Sequence, residues 1–379
     1  MATVNGIIFS NIHDKTIPEL TRKRTMASIP FGAKYRLIDF TLSNMVNSGI
    51  TNVSVITHYN YQSLIDHIGS GKDWDLARRK GGIKILTPYI TSFANATNNL
   101  YSSRLEALMS INYSLSRFDS DIIVFSDCDV ICNIDLNDMI NDHINSGADI
   151  TFAVKNVELD ESEAAKNIIM YSDESGKLVE TVAYPQTGVS GRLDMDLNIF
   201  VADRRYIQNL VNDAIAHGYK SFSRDILGIG VEKRNFRTYS YDGYFAKITS
   251  LASFFSHNMK LLEAPEIRDE LFGQKKRPVY TKVRNSAPTK YGSNSVVKNS
   301  LIADGCVIEG TVENSILFRD VKVGANTTIK NSILFQDTVT GENVFLNCVI
   351  ADKNVVIKDD RILSGHESLP FFIEKGKMI

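Results

Sequence analysis

Ser10-Asn11-Ile12-His13-Asp14-Lys15-Thr16 stands where a nucleotide-binding chain would hold phosphate. It follows a run that reads as a buried strand, Gly6-Ile7-Ile8-Phe9, and opens a long loop ending in an amphipathic helix. The helix face is Leu37, Ile38, Leu42, Met45 and Val46, with Gly49 where a C-terminal cap belongs. A strand, a loop and a helix at the start of an α/β chain make a ready anion site, because backbone N–H groups converge there. Such loops use glycine, since only a residue without Cβ lets the backbone close on a pyrophosphate. None occurs between Gly6 and Gly32. The place of a phosphate cradle is present without its residues.

The elements that would position this loop alternate. Strand-like runs at 52–57, 83–86, 121–125, 149–154, 178–183 and 197–201 interleave with helical patterns at 61–68, 100–118, 136–144, 205–216 and 251–262. Strand–helix alternation with right-handed crossovers predicts an α/β domain, Rossmann-like, with a mostly parallel sheet covered on both faces. We place it at residues 1–262. A polar stretch at 263–290, with Lys275-Lys276-Arg277-Pro278 and Ala287-Pro288, reads as a linker. From residue 291 to 379 apolar residues recur in steps of six, as in Val323, Ile329 and Phe335 or Val344, Ile350 and Val356. That period predicts a hexapeptide-repeat β-helix, left-handed, with two breaks in phase expected as loops.

Several chemistries fall away. A net charge of −2 over 379 residues gives no reason to expect nucleic acid or a membrane surface as partner. Nor does the N-terminus read as a signal peptide or spanning helix. Cys128 and Cys132 lack a second ligand pair for zinc, and Cys306 and Cys348 fall in the repeats. All four read as reduced thiols of a cytoplasmic protein. Hexapeptide acyltransferases need a histidine base, but the only histidine after His257 is His366, beyond the repeats.

PFGAKYRLIDFTLSNMVNSGI (30–50) closely resembles the segment after the nucleotide loop in glucose-1-phosphate adenylyltransferases, and the similarity runs nearly the whole chain. The resemblance implies ADP-glucose synthesis from ATP and glucose 1-phosphate, with Mg²⁺ held between two carboxylates. It also shows what has changed. The family's loop glycines fall on Asn11, Ile12 and Asp14, its two arginines on His13 and Thr16, and its lysine on Met26. The first metal carboxylate corresponds to Asp127 in Ser126-Asp127-Cys128-Asp129, with Asp129 as a nearby alternative; both acids also suit the end of a strand. The sugar-phosphate lysine is Tyr184, a following glycine is Asp196, and the second metal carboxylate is Lys247.

The chain resembles the family's non-catalytic D-type subunits of bacterial glycogen biosynthesis. Catalytic residues are therefore expected to be none, with Asp127, Asp129, Tyr184 and Lys247 vestigial, no resident metal and no cofactor; Mg²⁺ enters only if the chain is an active enzyme. Lys247 is expected either to pair with Asp127 in the ion's place or to be solvated at the rim. Asp14 is expected to repel a triphosphate. The implied partner is a homologous catalytic subunit, in a heterotetramer, with homo-oligomers as the alternative. Lys34 and Arg36 are the candidates for contacting a phosphorylated-sugar effector, or else structural charges. Arg22-Lys23-Arg24 and Arg78-Arg79-Lys80 read as solvated surface.

Overall fold

The computed structural model describes residues 3–87, 101–229, 231 and 234–379. Strand β1 (Val4–Phe9) lies at the centre of the main sheet, between β2 (Asn52–Ile56) and β4 (Ile122–Asp127); β3 (Gly82–Leu86) follows β2. These four strands are all parallel. Their near-continuous Ile, Val and Phe runs are what a sheet buried on both faces requires. Successive residues alternate between two cores: Ile7, Phe9 and Phe125 face one, and Ile8, Val53 and Val124 the other.

The long strand β8 (Gly191–Asp203) joins β4 in antiparallel register and carries β5 (Ile150–Leu159) and β6 (Ile168–Ser172). Beyond these lie β7 (Leu178–Ala183), paired with β6, and β9 (Phe236–Ser240), paired in parallel with β5. Helix α1 (Leu37–Asn47) follows the first loop, and α2 (Arg104–Ser110) precedes β4. Leu100, where that helix is expected to begin, lies outside the described residues.

The expected linker is partly ordered structure. After α3 (Leu251–Glu263), Pro265 opens a further helix, α4 (Pro265–Phe272). Proline suits the first helical turn, where its missing N–H has no partner to lose. Only Leu271 is fully buried, which is why the segment lacks a visible apolar period. The ring of Phe272 stacks on Tyr35 at 4.8 Å.

The C-terminal part stacks parallel strands into three five-stranded sheets. Thr311, Thr328, Phe345 and Ile362 lie above one another, so each of these coils runs one residue short of three six-residue steps, while the coil that brings Val296 under Thr311 is shorter still. The phase breaks therefore fall at tight corners rather than at loops. Asn or Asp takes positive φ at most of these corners, as at Asn326, Asn343 and Asp360. Ile316, Phe318, Ile333, Phe335 and Ile350 share one core with Ile17, Leu20, Phe31 and Phe254 of the α/β part. No helix among the described residues is long and apolar enough to cross a membrane.

Candidate functional site

Strand register brings the chemistry together. Phe9 pairs with Asp127, so the loop leaving β1 and the carboxylate ending β4 begin side by side. The fourth residue of that loop is His13, whose Nε2 lies 2.6 Å from Asp127 Oδ2 and 3.6 Å from Asp129 Oδ2. Arg104, the first residue of α2, reaches the same carboxylate: Nε lies 2.9 Å and Nη2 2.7 Å from Asp127 Oδ2, and Nε lies 3.1 Å from Oδ1. Its Nη2 also donates to Asn198 Oδ1. The register of β8 slips between Asp196 and Phe200, and Asn198 there has φ of +58°. Such a bulge re-aims a side chain; Asn198 Nδ2 donates to Asp129 Oδ2 at 2.8 Å.

Asp127 and Asp129 are thus buried members of one network at the end of β4. The expected Lys247–Asp127 pair is absent. Lys247 pairs across a short ribbon with Val130, and its Nζ donates to the Asp196 carbonyl oxygen at 3.3 Å. Arg104 has the place that pair would need. Nothing in the sequence pattern announces Arg104, because its contact depends on where α2 begins after residues 88–100.

The network is electrostatically self-contained. Burial raises the Asp127 pKa, but Arg104 and then His13 outweigh it and hold the carboxyl below its ordinary value. Burial lowers that of His13, yet Asp129 and then Asp127 bring it above 6.5. Asp196 is pushed up by burial against the pull of Arg104 and Lys247. The implied Mg²⁺ does not fit here. It needs near-octahedral oxygen ligands, whereas both Asp127 oxygens already accept from Arg104 and the second carboxylate is a lysine.

The first loop bonds to itself and its neighbours rather than opening N–H groups toward a ligand. Asn11 Nδ2 donates to the His58 carbonyl at 3.0 Å, and Tyr101 Oη donates to Asn11 Oδ1 at 2.7 Å. Asp14 does not confront the cleft as a free charge, contrary to expectation: its Oδ1 accepts from Met26 N at 2.7 Å, and burial pushes its pKa up to about 7. A raised folded-state pKa means that stability is lost as pH rises from about 4 to about 7. Asp14→Asn keeps the acceptor and removes the charge. It should be more stable than the parent by about 1–2 kcal/mol at pH 8, the gain vanishing near pH 4, in urea unfolding at both pH values. Tyr184, with φ of +53°, is 46 % exposed and makes no hydrogen bond to Asp127; burial first, then the nearby Asp196, Asp129 and Asp127, raise its phenol pKa against the pull of Arg104.

Lys34 and Arg36 belong to a different place. They line a half-open cavity at the junction with the β-helix, together with Arg284, Arg319 and Lys353. Arg36 is buried, its Nη1 donating to Ser63 Oγ at 3.0 Å, while Lys34 is exposed. Burial first, then Arg36 and Arg24, lower the Lys353 pKa to about 6. Sequence reading missed Arg284, Arg319 and Lys353, which lie far along the chain in segments read as linker and repeat. It also misplaced Arg24, which is buried and paired with Asp352 of the β-helix.

Comparison with known proteins agrees with both halves of this description. Residues 15–180 match the nucleotidyl transferase family model, and residues 285–367 match the GlmU-like C-terminal hexapeptide model. The glycogen biosynthesis protein GlgD of Bacillus subtilis (strain 168) is 35 % identical over 98 % of this chain and 95 % of its own. GlgD of Geobacillus stearothermophilus is 34 % identical over 98 % and 96 %. The glucose-1-phosphate adenylyltransferase of Halalkalibacterium halodurans is 33 % identical over 85 % and 83 %. The chain belongs to the family formed by the glucose-1-phosphate adenylyltransferases and the GlgD glycogen biosynthesis proteins.

Proposed function

We propose that this chain is a regulatory subunit of an ADP-glucose pyrophosphorylase in glycogen biosynthesis. It has no adenylyl transfer of its own and assembles with a homologous catalytic subunit, on the family pattern as a cytoplasmic heterotetramer. The observation that carries the reading is the capture of Asp127 by Arg104 and His13. Phosphoryl transfer of this kind is nearly all positioning and electrostatics. Losing one transition-state donor costs about a hundred- to a thousandfold in rate, and here one of the ion's two carboxylates, the loop arginines and the sugar-phosphate lysine are changed together. The test mixes this chain with its catalytic homologue and follows pyrophosphate release. Activity or effector sensitivity that changes only in the mixture supports the reading; a mixture equal to the sum of its parts refutes it.

The effector site of this reading is the junction cavity. Five cationic side chains surround it, and burial disfavours the charged form of Lys353. A phosphorylated sugar would supply the missing anion. Because such an anion restores the Lys353 proton, its binding should be tighter at pH 6 than at pH 8. Arg284→Glu, an exposed substitution, should weaken a sugar bisphosphate on the order of tenfold by calorimetry, the size expected for one charge-assisted contact. Unchanged affinity would move the effector elsewhere.

A further inference from the structure

The junction cavity holds a nucleophile as well as cations. Lys34, Arg36, Arg284, Arg319 and Lys353 line it, and among the described residues no carboxylate does. Nearby acids are committed elsewhere, Asp352 to Arg24 and Asp304 to Arg319 at 2.9 Å. Asp337 feels the charge of Arg284 and Lys353 but forms no ion pair with either. Among the described residues the Lys353 amine has no hydrogen bond and no ion pair. Of its donors only the backbone N–H is engaged, on Asp352 Oδ1 at 2.6 Å. The residue is half-buried, neither sealed nor fully solvated. Burial, then Arg36 and Arg24, favour the neutral amine over the pull of Asp352. A lysine desolvated beside other cations keeps a free lone pair near neutral pH, which ordinary lysines lack.

We propose that Lys353 Nζ is a modification site for carbon dioxide, which it takes up as a carbamate. The amine lone pair attacks the carbon of CO₂. An N–C bond forms, one C–O π bond opens to leave a negative oxygen, and the proton lost from nitrogen goes to water or bicarbonate. No oxidant or reductant is needed. The product carries one negative charge where the amine had none, in a cavity whose lining is otherwise cationic. Arg284 is exposed and, among the described residues, has no salt bridge, so its guanidinium is free to answer a carbamate on the same wall. The inference goes beyond the regulatory reading and does not depend on it, since neither a phosphorylated sugar nor a partner chain takes part. The two meet at one point. An anion bound in the cavity restores the Lys353 proton, and a protonated amine cannot add to CO₂, so bound phosphate and carbamate exclude each other.

The test holds the full-length chain under ¹³CO₂ at fixed pressure and at pH 6 and pH 8. Carbamate is followed by carbon-13 resonance, then trapped as its ethyl ester and located by peptide mass spectrometry. The α-amino group also reacts at pH 8, so the assignment rests on the trapped peptide. We expect the ester on Lys353 at pH 8, its loss at pH 6, and its suppression by excess inorganic phosphate. Arg284→Glu should lower the yield on the order of tenfold, the size of one charge-assisted contact. Lys353→Arg, which keeps a cation but removes the nucleophile, should lose one carbamate resonance and keep that of the α-amine. No ester on the Lys353 peptide, or labelling there no greater than at the exposed Lys275 and Lys276, overturns the proposal. Because the peptide is read in the parent chain, a variant that fails to fold does not blunt the test. The readout is a covalent change in the isolated chain, so this proposal and the regulatory reading can fail separately.

Discussion

Arg104→Gln should destabilise the folded chain by about 3–5 kcal/mol, the cost of leaving buried carboxylates without their cation. The argument rests on burial and on sharing. Arg104 serves both Asp127 oxygens and Asn198, inside a network that also holds Asp129 and Asp196. Glutamine has no charge to offset them, and His13 alone can balance only part. The double substitution Arg104→Gln/Asp127→Asn should recover most of the loss, because it removes the uncompensated charge rather than adding contacts. Urea unfolding of the parent, the two single variants and the double variant gives the coupling. A loss under about 1 kcal/mol for Arg104→Gln would mean that the guanidinium is a surface-like contact and that Asp127 remains available to an ion.

Arg24→Met should have an effect of similar size, about 3–5 kcal/mol, but at the junction of the two parts. Arg24 Nη2 lies 2.6 Å and 2.9 Å from the two oxygens of Asp352, and both residues are almost wholly inaccessible. The pair fastens the end of the nucleotide loop to the β-helix. Asp352 is next to Lys353, so it also ties the loop to the cationic cavity. Arg24→Met/Asp352→Leu should be more stable than either single variant, since apolar pairs replace buried ion pairs at little net cost. Arg22→Glu is the control. Its side chain is 73 % exposed and meets Glu374 at 3.1 Å, so unfolding should shift by no more than about 1 kcal/mol. Equal effects at Arg22 and Arg24 would remove the distinction between latch and surface.

Much of this architecture is legible in local pattern. The strand runs 52–57 and 121–125 reflect the continuous apolar run that burial on both faces imposes, and the steps after residue 291 the six-residue period of a stacked coil. What escaped was set by distance along the chain. The Arg104–Asp127 and Arg24–Asp352 contacts join elements whose meeting depends on sheet order and on the docking of the β-helix, and neither leaves a local signal. Helix α4 reads as linker in the sequence because a helix buried along one residue shows no apolar period. Charge alone lets Lys247 either fill the ion's place or lie solvated at the rim. In the fold its ammonium lies on the Asp196 carbonyl, while a residue from another helix answers Asp127.

The loop residues were legible in a different sense. The missing glycines announced that the cradle could not grip phosphate, and the structure gives the positive content of that loss. Asn11, His13 and Asp14 each bond to protein groups that hold the loop in shape.

Pyrophosphate release by the purified chain alone, at saturating ATP, glucose 1-phosphate and Mg²⁺, bears most directly on the capture of Asp127 by Arg104 and His13. The account predicts no turnover above the protein-free background and no dependence on Mg²⁺. Sustained Mg²⁺-dependent ADP-glucose synthesis, abolished by Asp127→Asn, would contradict it.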